Sequence, residues 1–451
     1  MFKQIINYYR ISSPRPLITT DEEKLRRLTR KLQIQTFCAA LIGHSLYYVC
    51  RTGLNIVKTP IVDSGLLNDQ ELGVVGSALL LSYAVGKFVN SFLADHCNVN
   101  RFMATGLIIS ALANLTVGIL GLTTGWINIS SQVFFICFAI LWGINGWAQS
   151  MGTAPPIVSL SRWFTQKERG TYYGFFSSGH NIGEFLSFGI VGTVVSYFGW
   201  KDGFFTAACA GVVGIAVIKY LLHDSPESKG LPAIGITTKK NINQAQKETL
   251  RNPYVWILAL SSACMYVSRY AINGWGVRFL EMEKGYPLEN ATWIVSINAL
   301  VGIFGAAFSG WFSDKVFKGK RNMPALIFGI TNTLALTLFL WCGNSLFINA
   351  LSMFLFGLSI GVLICYLGGL MATDIAPRNA TGAAVGMVGL VSYFAAGLQD
   401  LVSGYLIEHY KVISPTGETI FNFVPVSIFW IGASTLSFIL ALGVWKAKRS
   451  D

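Results

Sequence analysis

Apolar runs of about 20 residues recur along this chain from end to end, and that leaves few folds open to it. A helix rising 1.5 Å per residue crosses the hydrocarbon of a bilayer in about that length. The first run, from Gln35 to Val57, carries a single formal charge, Arg51, within Ser45-Leu-Tyr-Tyr-Val-Cys-Arg-Thr-Gly-Leu-Asn-Ile-Val. An arginine inside a span costs on the order of 3 kcal/mol on insertion scales. Arg51 is therefore expected to face a protein interior or a wet cavity, not lipid. The device returns later, because Tyr48-x-x-Arg51 is matched by Tyr266-x-x-Arg269. A tyrosine three residues before an arginine shares its helix face. Two such arginines predict a cationic clamp for an anion, since guanidinium offers a planar fork of donors matched to phosphate or carboxylate and stays charged at any working pH.

The 451 residues are 53% hydrophobic and 12% charged, against about 25% charged in soluble domains. The expected fold class is therefore an all-α polytopic membrane protein, not a globular enzyme. Spans are expected near 35–58, 72–93, 102–120, 131–155, 171–197 and 203–222, then near 253–275, 289–312, 323–343, 347–372, 381–405 and 420–445. A net charge of +12 would point to nucleic acid in a soluble chain, but its distribution argues against that. With the N-terminus in the cytoplasm, the inside segments hold 26 Lys and Arg and the outside loops hold five: Lys58, Lys201, Arg278, Lys284 and Lys411. That bias obeys the positive-inside rule and predicts both termini in the cytoplasm. The eight cysteines show no metal-ligand spacing, so no metal or cofactor is expected and the thiols read as packing residues.

Four domains are expected: a basic cytoplasmic leader over 1–34, whose Asp21 to Lys31 stretch reads as an amphipathic interfacial helix; a six-helix half over 35–222; a polar linker over 223–252; and a second half over 253–451. The halves repeat each other. Arg51 and Arg269 differ by 218 positions, and Asp95 and Asp314 by 219. Six spans before each copy make a parallel repeat, and transporters built this way hold substrate near the midplane at the repeat interface.

Several further residues carry chemistry. Tyr83-x-x-x-Lys87 puts a lysine and a tyrosine on one face of the second span, where Lys87 either meets the anion or snorkels to the interface. His180, beside Asn181, either contacts substrate or packs, and His44 lies two turns from Arg51. Glu184 and Asp400 are intramembrane acids that could counter a clamp residue, relay a proton or bond two helices. Asp95 to Arg101 and Asp314 to Arg321 are acid-then-basic loops whose expected role is conformational, carboxylate to cation. No phosphate loop or nucleophile–base pair appears, so neither catalysis nor ATP hydrolysis is encoded.

In this order the motifs resemble the organophosphate:phosphate antiporters of the major facilitator superfamily, a group of glycerol-3-phosphate and hexose-6-phosphate carriers with a related hexose-phosphate sensor. The resemblance runs end to end on Tyr-Tyr-x-x-Arg51, Gly-Lys87-Phe before the Asp95 loop, Trp163-Phe…Glu-Arg-Gly170, His180-Asn, Gly230-Leu-Pro, Asn252-Pro-Tyr-x-Trp, Arg269-Tyr, Ser313-Asp-Lys-Val-Phe-x-Gly-x-Arg321 and Gly-x-x-Gly-Leu-x-x-Tyr393. It implies that Arg51 and Arg269 bind the phosphoryl group, with Lys87, His180, Tyr48, Tyr83, Tyr266 and Tyr393 around it. The family places lysine after the first arginine and aspartate before the tryptophan of span 7; here Thr52 and Gly274 stand there, as if an ion pair had been deleted whole. Val385 and Val388 stand where the hexose-phosphate carriers have Asp-x-x-Lys in span 11, and His44 replaces a tyrosine common in the family.

The expected function is exchange of hexose-6-phosphate for inorganic phosphate by rocking of two halves, in a monomer of the bacterial inner membrane that binds no nucleic acid. The two guanidiniums are expected to match a phosphate dianion, and Thr52 and Gly274 to leave room for a sugar. The alternatives are a glycerol-3-phosphate antiporter, a sensor of the same family acting through a signalling partner, and a carboxylate or nitrate carrier.

Overall fold

The computed structural model describes residues 2–445, except 125–129, 166–171, 173–174, 233, 235–241, 318–320, 376–380 and 414–418. The described helices group into twelve spans, six on either side of the linker. In the first half, span 1 is Glu22–Asp63, span 2 Asp69–His96, span 3 Val99–Thr123 and span 6 Trp200–Leu221. Span 4 is Ser131–Ser150 prolonged by Ala154–Trp163, and span 5 contains Gly179–Leu186, a π-helical turn at Ser187–Val191, and Gly192–Phe198. In the second half, span 7 is Pro253–Met282, span 8 Leu288–Val316, span 9 Asn322–Trp341, span 11 Thr381–His409 and span 12 Val424–Gly443. Span 10 is Leu346–Cys365 followed by a second π-helical turn, Tyr366–Leu370, and Met371–Ile375.

Among the described residues eleven of these helices are long and apolar enough to cross a membrane on composition alone. Span 1 is not among them, although its 42 residues exceed the length required. It carries Arg51, His44 and Lys58, and the bundle buries all three.

Local chemistry sets the boundaries. Asp21 caps span 1 by accepting from the amides of Glu23 and Lys24, and Asn68 closes a reciprocal capping box with Glu71 at the start of span 2; such caps satisfy otherwise orphaned helix donors. Spans 5 and 6 are separated by Gly199 alone, whose φ of +97° only glycine adopts readily.

Two expectations change here. Residues 22–34 form no separate interfacial helix; they prolong span 1, and Leu25, Leu28 and Leu32 pack on Leu160, Trp163 and Phe164. Their apolar stripe is met by protein. Three of the five cations assigned to outside loops are buried: Lys58 within span 1, Arg278 within span 7, and Lys284 just beyond it. Lys284 donates to the carbonyls of Phe339 (2.5 Å) and Cys342 (3.2 Å) and to Asn349 Oδ1 (2.7 Å), closing the end of span 9.

The halves meet closely at the end of the bundle away from the linker. A Cβ on Gly73 of span 2 would lie 3.1 Å from Gly404 Cα of span 11, so the two backbones touch through small residues. Buried polar pairs lock the same end. Asp69 binds Arg278 through both carboxylate oxygens, Lys58 Nζ lies 3.6 Å from Asp400 Oδ1, and Thr59 donates to Glu281 at 2.5 Å.

Candidate functional site

Arg51 and Arg269 come from equivalent positions of spans 1 and 7 and are 5% and 2% exposed. The ring of Tyr270 stands close to both, its centroid 5.7 Å from Arg51 Cζ and 5.4 Å from Arg269 Cζ. Arg51 Nη2 donates to Tyr270 OH at 2.9 Å. The tyrosines chosen by helical spacing do flank their arginines: Tyr48 lies 5.4 Å from Arg51 and Tyr266 lies 5.9 Å from Arg269. Tyr83 is nearer still to Arg51, at 4.3 Å. Aromatic faces stabilise a desolvated guanidinium without neutralising it.

Tyr393 sits at the centre of this cage. Its ring centroid is 4.6 Å from that of Tyr83, 5.2 Å from Tyr266 and 6.1 Å from Tyr270. Lys87 Nζ lies 4.8 Å from the Tyr393 centroid, so this lysine turns towards the cage. His180 closes the span-5 side, 5.8 Å from the Tyr48 ring. The structure thus brings together all eight residues assigned to the substrate.

One expectation is revised. No acid lies on the clamp's own helices beside it, yet Arg269 is paired: its Nη2 donates to Glu184 Oε1 of span 5 at 2.8 Å, both side chains 3% exposed. Arg51 has no carboxylate partner among the described residues, and its Nη1 and His180 Nε2 are buried without a hydrogen bond. The two guanidiniums therefore do not by themselves match a dianion. Among the described residues the cluster sets the cations Arg51, Arg269 and Lys87 beside the carboxylate of Glu184.

Asp400 takes another role. It accepts from Trp275 Nε1 at 2.6 Å and pairs with Lys58, which lies 3.2 Å from a Trp275 ring centroid. These groups stand against Gly274: a Cβ there would meet Asp400 Oδ1 at 3.3 Å and Lys58 Nζ at 3.9 Å. The space at Gly274 is thus taken by an ion pair contributed from spans 1 and 11. The room expected there is small, a cavity of about 20 Å³ lined by Arg51, Thr52, Asn55, Glu184, Gly274 and Asp400. A water needs about 10–15 Å³, so a sugar does not fit in this conformation. His44 is a packing residue, with Nδ1 3.0 Å from the Gly152 carbonyl.

Of the four loop residues, Arg101 and Arg321 have described side chains. Arg101 donates to the Tyr8 carbonyl at 2.6 Å, and Arg321 Nε lies 3.1 Å from Asp374 Oδ2, in the last turn of span 10. The side chains of Asp95 and Asp314 lie outside the described residues.

Sequence reasoning missed Tyr270, Lys58, Asp69 and Trp275. Tyr270 follows Arg269 directly, so a rule that seeks helix neighbours three or four residues away passes over it. Its partner lies on another helix, and only packing reveals that.

The sequence profile of the Major Facilitator Superfamily matches residues 40–399. A probable hexose phosphate transport protein of Chlamydia muridarum is 29% identical over 86% of this chain and 88% of its own. The glycerol-3-phosphate transporter of Bacillus subtilis is 30% identical over 89% and 92%. Among solved structures, an inward-facing, unoccupied bacterial homolog of the human lysosomal transporter Spinster superposes with a TM-score of 0.73, at 16% identity, over 93% of this chain and 99% of that one.

Proposed function

The chain belongs to the Major Facilitator Superfamily, and from that premise we propose that it exchanges a phosphate ester, hexose-6-phosphate in preference to glycerol-3-phosphate, for inorganic phosphate. The protein is a multi-pass membrane protein, and the reading places it in the bacterial inner membrane with both termini inside. The observation that carries the proposal is the buried, half-satisfied Arg51, facing Arg269 across Tyr270 at the junction of the halves. A guanidinium nitrogen without a partner in a desolvated site is costly, and an oxyanion supplies what it lacks.

Arg51, Lys87 and His180 receive the phosphoryl group while Arg269 exchanges Glu184 for a phosphate oxygen. A phosphate group supplies the acceptors that the buried Arg51 lacks, which lets the halves 35–222 and 253–451 close over it and rock. The bonds of Asp69 to Arg278 and Lys58 to Asp400 hold the far end shut and part when that end opens. The preference for a hexose no longer rests on room at Gly274, which Asp400 and Lys58 fill; it rests on the hexose-phosphate relative alone. Phosphate-loaded proteoliposomes given labelled glucose-6-phosphate and labelled glycerol-3-phosphate side by side test it. Faster entry of the hexose ester supports the preference and faster entry of the glycerol ester overturns it. Binding of the hexose ester with no entry would identify a sensor.

A further inference from the structure

A second polar cavity, of about 470 Å³, opens at the linker end of the first half, far from the clamp and within the size range of small-molecule sites, about 300–1,000 Å³. Four separate stretches build it: the segment at 12–15, the start of span 3, the end of span 6 and the linker at 224–229. Hydrogen bonds tie its walls together. Ser12 N donates to Asp224 Oδ2 at 2.8 Å, Arg15 N to the Glu227 carbonyl at 2.9 Å, and Ile18 N to the Gly230 carbonyl at 3.1 Å.

The electrostatics of this cavity are one-sided. Its acceptors are already used. Asp224 takes Arg162 Nη1 at 2.5 Å, the Val99 amide at 3.0 Å and Asn98 Nδ2 at 3.3 Å. The Asn100 amide caps the carbonyls of Ile218 and Leu222, each at 2.7 Å, at the end of span 6. Among the described residues its cations lack carboxylate partners, although Arg101 Nη1 donates to the Tyr8 carbonyl at 2.6 Å. Arg15, Arg101, Lys219 and Lys229 line the space, and none of the four pairs with a carboxylate among the described residues. His223 adds a neutral ring, since burial, and then the charge of Lys229, lower its pKa to about 4. A positive-inside bias accounts for basic residues on this face, but it does not require four of them around a walled cavity whose one acid is already neutralised.

We infer that this cavity is a second anion site, taking a phosphate group held by Arg15, Arg101, Lys219 and Lys229, from either a soluble phosphorylated molecule or the headgroup of an anionic lipid. Occupancy would pin the N-terminal segment to the linker.

Native mass spectrometry of the full chain in lipid-free detergent tests this with two probes, inorganic phosphate and dihexanoyl phosphatidylglycerol. Substituting R15Q, K219Q and K229Q together should reduce the occupancy of at least one probe about tenfold or more, as charge-assisted bonds are lost. The charge-conserving R15K/K219R/K229R protein should keep it. All of these proteins carry Arg51→Lys as a common background, which lowers phosphate binding at the clamp, so a failure of the transport reading leaves this site standing, and the reverse. Loss of phosphate alone identifies a soluble ligand, and loss of the lipid probe identifies a headgroup. If the triple variant is not monodisperse, the exposed Lys219→Gln alone serves, with a smaller decrease expected. Equal occupancy of both probes in the Arg51→Lys parent and the glutamine variants, or no occupancy in that parent, overturns the assignment.

Discussion

Arg51 Nη2 donates to the hydroxyl of Tyr270 at 2.9 Å, across 219 positions of sequence and across the junction between spans 1 and 7. The bond orients one edge of the guanidinium and leaves Nη1 without a partner. A donor fork held open in this way suits an oxyanion that bonds both arms.

Arg51→Lys should therefore abolish exchange while leaving membrane insertion intact, because an ammonium cannot reproduce the fork. Tyr270→Phe keeps the ring and removes the acceptor that positions Arg51. A hydrogen bond to a charged group is worth about 1.5–3 kcal/mol, so phosphate affinity should fall about tenfold or more. Wild-type phosphate affinity in both variants, measured by equilibrium binding, would remove Arg51 from the site.

Glu184→Gln tests the exchange of partners at Arg269. The amide keeps the shape but leaves the guanidinium uncompensated, and breaking a buried pair costs about 3–5 kcal/mol. Phosphate should restore much of the lost thermal stability, KM for phosphate should fall, and the maximal exchange rate should fall with it because release is slowed. An unchanged KM with a wild-type rate would show that Glu184 does not compete with substrate.

The fold was open to sequence reasoning because hydrocarbon thickness sets span length and a charge inside a span has to be justified. Arg51, Arg269 and their tyrosines were found on those grounds alone. Partners on other helices were not. Glu184 for Arg269, Asp400 for Lys58, and Asp69 for Arg278 join spans far apart in the chain, and no spacing rule links residues 209 positions apart, as the last pair is. Lys58 and Arg278 looked like loop cations because they fall at the ends of apolar runs, whereas the helices continue past them into buried structure.

Asp69→Asn should weaken the far-end closure. The carboxylate binds Arg278 of the opposite half through both oxygens with each side chain 1% exposed, so the loss should approach the same 3–5 kcal/mol in the closed form alone. In a cysteine-free background, a cysteine at Asn55 should react faster with an impermeant maleimide added from the far side. Exchanging the two residues (Asp69→Arg with Arg278→Asp) should return labelling towards the parental rate. Equal labelling of parent and Asp69→Asn would mean that the pair does not hold this end shut.

The empty carrier does not readily reorient, because Arg51 is then buried with Nη1 unpaired. Desolvating an unpaired ion costs several kcal/mol, and each 1.36 kcal/mol is a factor of ten in rate. The direct measurement is uptake of labelled phosphate into proteoliposomes with and without internal phosphate. Uptake at least about tenfold faster into loaded vesicles is the predicted result, and equal uptake into loaded and empty vesicles would contradict it.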